Sequence, residues 1–186
     1  MSTRFDDVRT ERLRLRAWTE RDLEPFAAIN SDPRVMEHFP KLQSRAESDA
    51  SADRIRGHWA THGFGLWAIE IPGEVAFAGY VGLSRPTFEA AFTPCVEIGW
   101  RIAADCWGHG YATEGARAAL RVGFVELALD EIVSFTVPAN QRSLRVMDKL
   151  GLRHDPSADF DHPRIPAGHP LQRHVLFRLR RDAWRP

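Results

Sequence analysis

The chain has 186 residues, and its 25 lysines and arginines are balanced by 25 aspartates and glutamates. A neutral chain of this length predicts one domain over residues 1–186 with its own core and no global field to gather nucleic acid or an anionic membrane, and no segment is apolar for long enough to span a bilayer. Cys95 and Cys106 belong to no CxxC pair, which fits a reduced, cytoplasmic setting, and Met1-Ser2-Thr3-Arg4-Phe5-Asp6-Asp7 lacks the apolar stretch of a signal peptide.

Leu13, Leu15 and Ala17 alternate with Arg12, Arg14 and Arg16, the pattern of a strand with one buried face. Thr19 followed by Asp22 reads as a capping-box variant ahead of Leu23, Phe26 and Ala27 at helical spacing. Asp32-Pro33 reads as a second cap, with proline at the first helical position. Ser44-Arg45-Ala46-Glu47 is a fuller capping box and opens a helix ending near His62-Gly63. Strands over 66–71 and 75–83 flank the turn Pro72-Gly73-Glu74. After a loop over 85–94 comes a strand over 96–102, then a helix from Tyr111 to Ala128 with one apolar face. A strand over 132–137, a helix over 140–150 closed by Gly151, a loop or strand edge over 154–170 and a last strand through Val175, Phe177 and Leu179 complete the chain. Hairpins combined with crossover helices imply a mixed α/β (α+β) sheet flanked by helices.

The segment between the strand at 96–102 and the helix at 111 carries the most chemistry. Gly108 and Gly110 allow a tight turn that exposes backbone N–H groups, and the following helix start adds more, so the site suits a phosphate or diphosphate. A P-loop would need Gly-Lys-Ser/Thr where Gly110-Tyr111 stands, and a dinucleotide fingerprint would need glycine where Thr113 stands. A plain strand-to-helix turn with no ligand is the remaining alternative. Gly99 in mid-strand marks a bulge, a close approach or simple packing; a bulge would free backbone groups for an amide-rich ligand.

Taken together, these blocks resemble the GNAT superfamily of N-acetyltransferases, most of all its ribosomal-protein N-terminal acetyltransferases. The resemblance rests on Thr10-Glu11-Arg12-Leu13-Arg14-Leu15-Arg16, Asn30-Ser31-Asp32-Pro33, Val96-Glu97-Ile98-Gly99-Trp100, Trp107-Gly108-His109-Gly110-Tyr111-Ala112-Thr113-Glu114 and Asn140-Gln141-Arg142-Ser143, in that order along nearly the whole chain. It implies a mixed, mostly antiparallel sheet with a splayed parallel strand pair, acetyl-CoA in the gap between them, and no metal. The implied cofactor contacts are Ile98, Gly99, Trp100, Arg101 and Ile102 on the strand, Trp107, Gly108, His109, Gly110, Tyr111, Ala112 and Thr113 in the loop, and Asn140, Ser143 and Arg145 on the later helix. Arg142 and Lys149 join Arg145 as candidates for the 3′-phosphate.

Acetyl transfer needs an unprotonated amine, a donor to the developing oxyanion, and a proton or hydrogen bond for the leaving thiolate. Glu97 is the candidate base, ahead of Glu70 and Glu74, and Ser143 the candidate thiolate donor. Cys95 and Cys106 have no clear partner base, which argues for direct attack in a ternary complex. His154, His162, His169 and His174 fit no zinc spacing. Trp59, Trp67 and Trp100 suit the core, and Trp18 the acceptor side. The expected acceptor is a peptide or protein N-terminal amine. Small amines such as an aminoglycoside or a polyamine, drawn by Glu37, Glu47, Asp49 and Asp53, form the first alternative; a non-catalytic CoA-binding regulatory module forms the second. A homodimer is the default expectation for assembly.

Overall fold

The computed structural model describes Phe5 and residues 7–185. Residues 1–4 and 6, part of the segment read as lacking a signal peptide, lie outside the described residues, as does residue 186.

The elements follow from local chemistry. Strands β1 (Asp7–Arg9) and β2 (Arg14–Arg16) form a hairpin. The Thr19 amide donates to Asp22 at 2.7 Å, turning the chain into α1 (Leu23–Ser31). Asp32 accepts from the Arg34 amide at 2.8 Å, with Pro33 first in the short α2 (Pro33–Met36). The reciprocal Ser44–Glu47 box opens α3 (Arg45–His62). Then come β3 (Leu66–Ile71), β4 (Val75–Ser84), β5 (Glu97–Ile102), α4 (Tyr111–Arg121), β6 (Glu131–Thr136) and α5 (Gln141–Lys149). Short β7 (Arg153–His154) and β8 (Phe160–Asp161) precede β9 (Arg173–Arg180).

The strands lie in the order β1-β2-β3-β4-β5-β6-β9-β7, with β8 on β9. Neighbouring strands run antiparallel except β5 and β6, which are parallel and share a single register pair, Glu97 with Val133. One face of the sheet buries Leu15, Trp67, Val81, Ile98 and Ile132 beneath Ala116, Ala119 and Leu120 of α4 and Met147 of α5. The opposite face carries a smaller cluster of Phe26, Ile29, Ala52, Ala68 and Phe77 under α1 and α3. Each large apolar side chain so buried contributes about 1.5–3 kcal/mol.

The structure departs from the sequence reading, or adds to it, at three places. The helix expected over 111–128 stops being α-helical at Arg121 and widens into a π turn, Val122–Glu126, where the Leu127 amide donates to Val122 O at 2.9 Å. That turn buries Val122, Gly123 and Phe124 in succession, which one face of an α-helix cannot do. Gly99 makes no bulge: β5 pairs with β4 without a register break from Glu97 to Ile102. The free backbone expected there comes instead from the parting of β5 and β6. Strand β1 is the third; three residues are too few to show an alternation.

Candidate active site

Strand alternation sorts β5 into two sets. Ile98 and Ile102 enter the core under α4, while Glu97, Gly99 and Arg101 lie on the other face. The Val133 amide donates to Val96 O at 2.9 Å, and one residue later the Ser134 hydroxyl donates to Ile98 O at 2.9 Å. Beyond that point β5 and β6 no longer pair. By the same alternation, the amide and carbonyl of Trp100 face the gap with no ladder partner on β6. The Trp107 indole donates to Ile102 O at 2.9 Å and closes the far end of that edge.

The glycine loop follows directly. Gly108 and Gly110 sit at φ 85° and 82°, a left-handed conformation that L side chains strain to adopt. The amides of Gly108, His109, Gly110, Tyr111, Ala112 and Thr113 have no acceptor among the described residues, and the first helical bond of α4 runs from the Glu114 amide to Gly110 O at 3.0 Å. These free N–H groups and the helix start together make the kind of concave donor array that suits an anion such as a diphosphate.

A clamp that sequence reasoning left unassigned holds this loop. Glu114, in the first turn of α4, accepts from Thr10 Oγ1 at 2.6 Å, the Arg12 amide at 2.9 Å and Arg12 Nε at 2.7 Å. Burial raises the Glu114 carboxyl, but these donors together bring it below its usual range. Arg12 Nη1 also donates to His109 O at 2.9 Å, and the guanidinium lies 5.0 Å from the Tyr111 ring centre, on which His109 stacks. The only sequence signal was the recurrence of Thr10-Glu11-Arg12 among the resembling blocks; nothing in its spacing pointed a hundred residues ahead.

Glu97 has no hydrogen-bond or ion-pair partner among the described residues, and burial raises its carboxyl to about 8. A Cβ on Gly99 would meet only Glu97 Oε1, at 3.7 Å, so the strand is bare beside the carboxylate. Glu70, by contrast, is held by Arg16 at 2.9 Å, and Glu74 lies at the turn between β3 and β4. Burial lifts the Cys95 thiol to about 11, with Glu97 adding to it, and burial also raises Cys106, so both stay protonated at neutral pH.

Asn140 caps α5, accepting from the Ser143 amide at 3.2 Å and donating to Thr136 Oγ1 at 3.0 Å. It thereby ties α5 to the end of β6, the second lip of the gap. The half-buried Ser143 hydroxyl has no partner among the described residues. Arg142 stacks on Trp107 at 4.2 Å and donates to Glu37 at 2.8 Å, so it braces the loop; Arg145 and Lys149 are exposed without ion pairs among the described residues. The Arg101 side chain turns away from the gap to Asn30 and covers the Phe39 ring at 4.1 Å, with its Nε buried and unpartnered among the described residues. Trp18 packs edge-on against Phe26 and Phe77 at 5.0 and 5.2 Å. No group of three or more His, Cys, Asp or Glu among the described residues is arranged to hold a metal.

Residues 12–153 match the family model described as "Acetyltransferase (GNAT) domain". The chain belongs to the GNAT acetyltransferases. It is 34% identical to the FsC-acetyl coenzyme A-N(2)-transacetylase of Aspergillus fumigatus over 79% of this chain, spanning 65% of that relative. A GNAT acetyltransferase of Bacillus anthracis superposes with a TM-score of 0.77 at 25% identity, over 95% of this chain and 99% of its own. The Mycobacterium smegmatis RimJ, solved with CoA-disulfide, shares the fold with a TM-score of 0.69 at 19% identity, over 90% of this chain and 81% of its own. GNAT enzymes use acetyl-CoA, so the parted strands and amide cradle described above have a ligand of matching chemistry.

Proposed function

We propose that this GNAT protein transfers the acetyl group of acetyl-CoA to a primary amine by direct attack in a ternary complex, with Glu97 as base. The observation that carries this is the unpaired Glu97 carboxylate on the bare strand beside Gly99, next to a gap whose far end leads into the free amides of 108–113. The diphosphate rests on those amides, and an amide N–H of the pantetheine arm donates to the open Trp100 carbonyl, which leaves the Trp100 amide for the reacting carbonyl oxygen. A carboxylate of pKa about 8 accepts a proton from an ammonium far better than an ordinary glutamate. The amine lone pair then attacks the thioester carbon, the Trp100 amide donates to the oxyanion, and the Ser143 hydroxyl donates to the departing thiolate. Neither cysteine supplies a nucleophile at neutral pH, which supports direct attack over an acyl-enzyme. The non-catalytic alternative called for a salt-bridged Glu97, and none of its described neighbours forms one.

The acceptor is a peptide or protein N-terminal amine. A small-molecule amine is the second reading, favoured by the name of the Aspergillus relative, an N(2)-transacetylase. The test is thiol release with mass detection of the acetylated product across peptides and small amines. Stoichiometric CoA and acetyl-amine support the reading; tight acetyl-CoA binding with no thiol released from any amine rejects it.

A further inference from the structure

Strand register sets an aromatic wall beside Glu97. Since Glu97 pairs with Val133 in parallel, Phe135 lies two residues further on the same face, level with Gly99 across the gap. Around Phe135 gather side chains from three separate segments. Phe88 and Phe92 come from the loop after β4, with ring centres 5.8 and 5.9 Å from Phe135. Phe160 of β8 lies at 5.4 Å and His174 of β9 at 6.1 Å, and His162 lies tilted beside Phe88 at 4.7 Å. All of these rings are only partly buried, so the cluster is a surface rather than a closed core.

The segments are fixed to one another. The Arg85 amide donates to His58 Nε2 at 3.0 Å while His58 Nδ1 reaches Phe64 O at 2.9 Å, anchoring the start of the 85–94 loop to α3. Arg164 donates to Thr87 O at 3.0 Å, tying that loop to the segment after β8. Burial lowers both wall histidines, His162 to about 4, so at neutral pH their rings are uncharged and apolar in character.

The charged group in contact with the wall's rings is cationic. Arg164 sits 6.0 Å from the Phe88 ring centre and is bonded to Thr87, not to a carboxylate. The carboxylates expected to draw a polycation are occupied: Glu37 by Arg142, Glu47 by Lys41 and Asp49 by Arg45. Asp53 on α3 and Glu89 in the loop remain exposed.

We propose that the acceptor subsite of this enzyme is the aromatic wall around Phe135, and that it takes an amine carried on a flat or bulky apolar body with no second cation. This rests on the acetyl-transfer reading above and narrows it. Aromatic contact adds to the burial of the acceptor's apolar surface, while an extra ammonium loses hydration beside the Arg164 guanidinium, which no carboxylate among the described residues pairs. For a peptide acceptor, the residue bearing the amine is aromatic or large and apolar.

The experiment measures kcat/KM at saturating acetyl-CoA for phenylethylamine and a Phe-initiated tripeptide against spermidine, kanamycin and a Lys-initiated tripeptide. It is run on the full chain and on Phe135→Ala and the milder Phe160→Leu, which keeps an apolar side chain and removes the ring. The expected result is about a tenfold or larger preference for the aromatic acceptors, which shrinks in both variants while the KM for acetyl-CoA holds. Equal or better use of the polycations, or a preference untouched by both substitutions, overturns the subsite and leaves acetyl transfer standing. Turnover with no amine at all overturns both readings.

Discussion

On the cofactor side of the β5–β6 gap, the ligand-facing groups are main-chain amides, and the side chains around them serve as braces: Glu114, Thr10 and Arg12 behind the loop, Arg142 on Trp107. On the acceptor side the arrangement reverses. Half-buried rings from three distant segments make the surface there. The difference follows from what each side has to recognise. A diphosphate is met by N–H groups that any residue supplies, so the requirement falls on backbone shape, and hence on glycines and ion pairs. An acceptor is distinguished by its body, which only side chains can sense, and these can change without disturbing the fold.

The largest expected effect lies at the boundary between the two sides. Glu97→Gln lowers kcat by roughly 10²–10⁴-fold with acetyl-CoA affinity retained, read from steady-state kinetics together with calorimetry. Wild-type kcat/KM rises with pH through about 8 as the carboxylate ionises, and the variant loses that step. Stability runs the other way. Because the folded carboxyl is raised from 4.5 to about 8, the protein is favoured with Glu97 neutral below pH 4.5 and loses that contribution as pH climbs through 8. At pH 9 the Gln variant therefore melts higher than wild type; a lower melting point would show that the carboxylate is solvated or paired.

A cut at the cofactor side alone comes next. Gly110→Ala places a Cβ in the left-handed region at a cost of about 1–2 kcal/mol; the free loop relaxes to relieve it, acetyl-CoA must restore the conformation, and binding weakens by up to roughly 5- to 30-fold in calorimetry. Acceptor ranking should be unchanged, and a changed ranking would mean the two sides are not separable. Ser143→Ala follows, with kcat lower by about tenfold or less for an acceptor of high pKa and little change in either KM, since solvent can also protonate the thiolate. Smallest is Glu114→Gln, which loosens the clamp and raises the KM for acetyl-CoA by about threefold with kcat steady. An equal fall in kcat would assign Glu114 a role beyond holding the loop.

The same contrast separates what could be read along the chain from what could not. The cofactor side rests on contiguous signals: an alternating strand, two glycines and a helix start within about twenty residues, and an Asn cap with Ser143 one turn on. The Ser44–Glu47 and Asp32-Pro33 caps were legible for the same reason, since capping chemistry acts over three or four residues. Three features arise only from long-range juxtaposition. Arg12 meets Glu114 across a hundred residues, β5 parts from β6 where no residue announces it, and Phe88, Phe135 and Phe160 converge from segments that each looked like ordinary loop or strand. Gly99 shows the limit of local reading: its freedom was visible, but sequence alone left a bulge, a close approach and simple packing open, and the register removes the bulge.

Ser134 gives the gap a property of its own. Its hydroxyl takes the Ile98 carbonyl at the point where another rung between β5 and β6 would form, so it acts as a stop on the zipper. A ligand arm entering above that stop breaks no rung and reorganises no strand, which keeps the unfavourable part of association small and leaves the grip of the loop to appear almost undiminished as affinity. Strand edges left bare in this way usually invite pairing with another chain; here the edge is recessed between two strands, out of reach of a neighbour but open to something as narrow as a pantetheine.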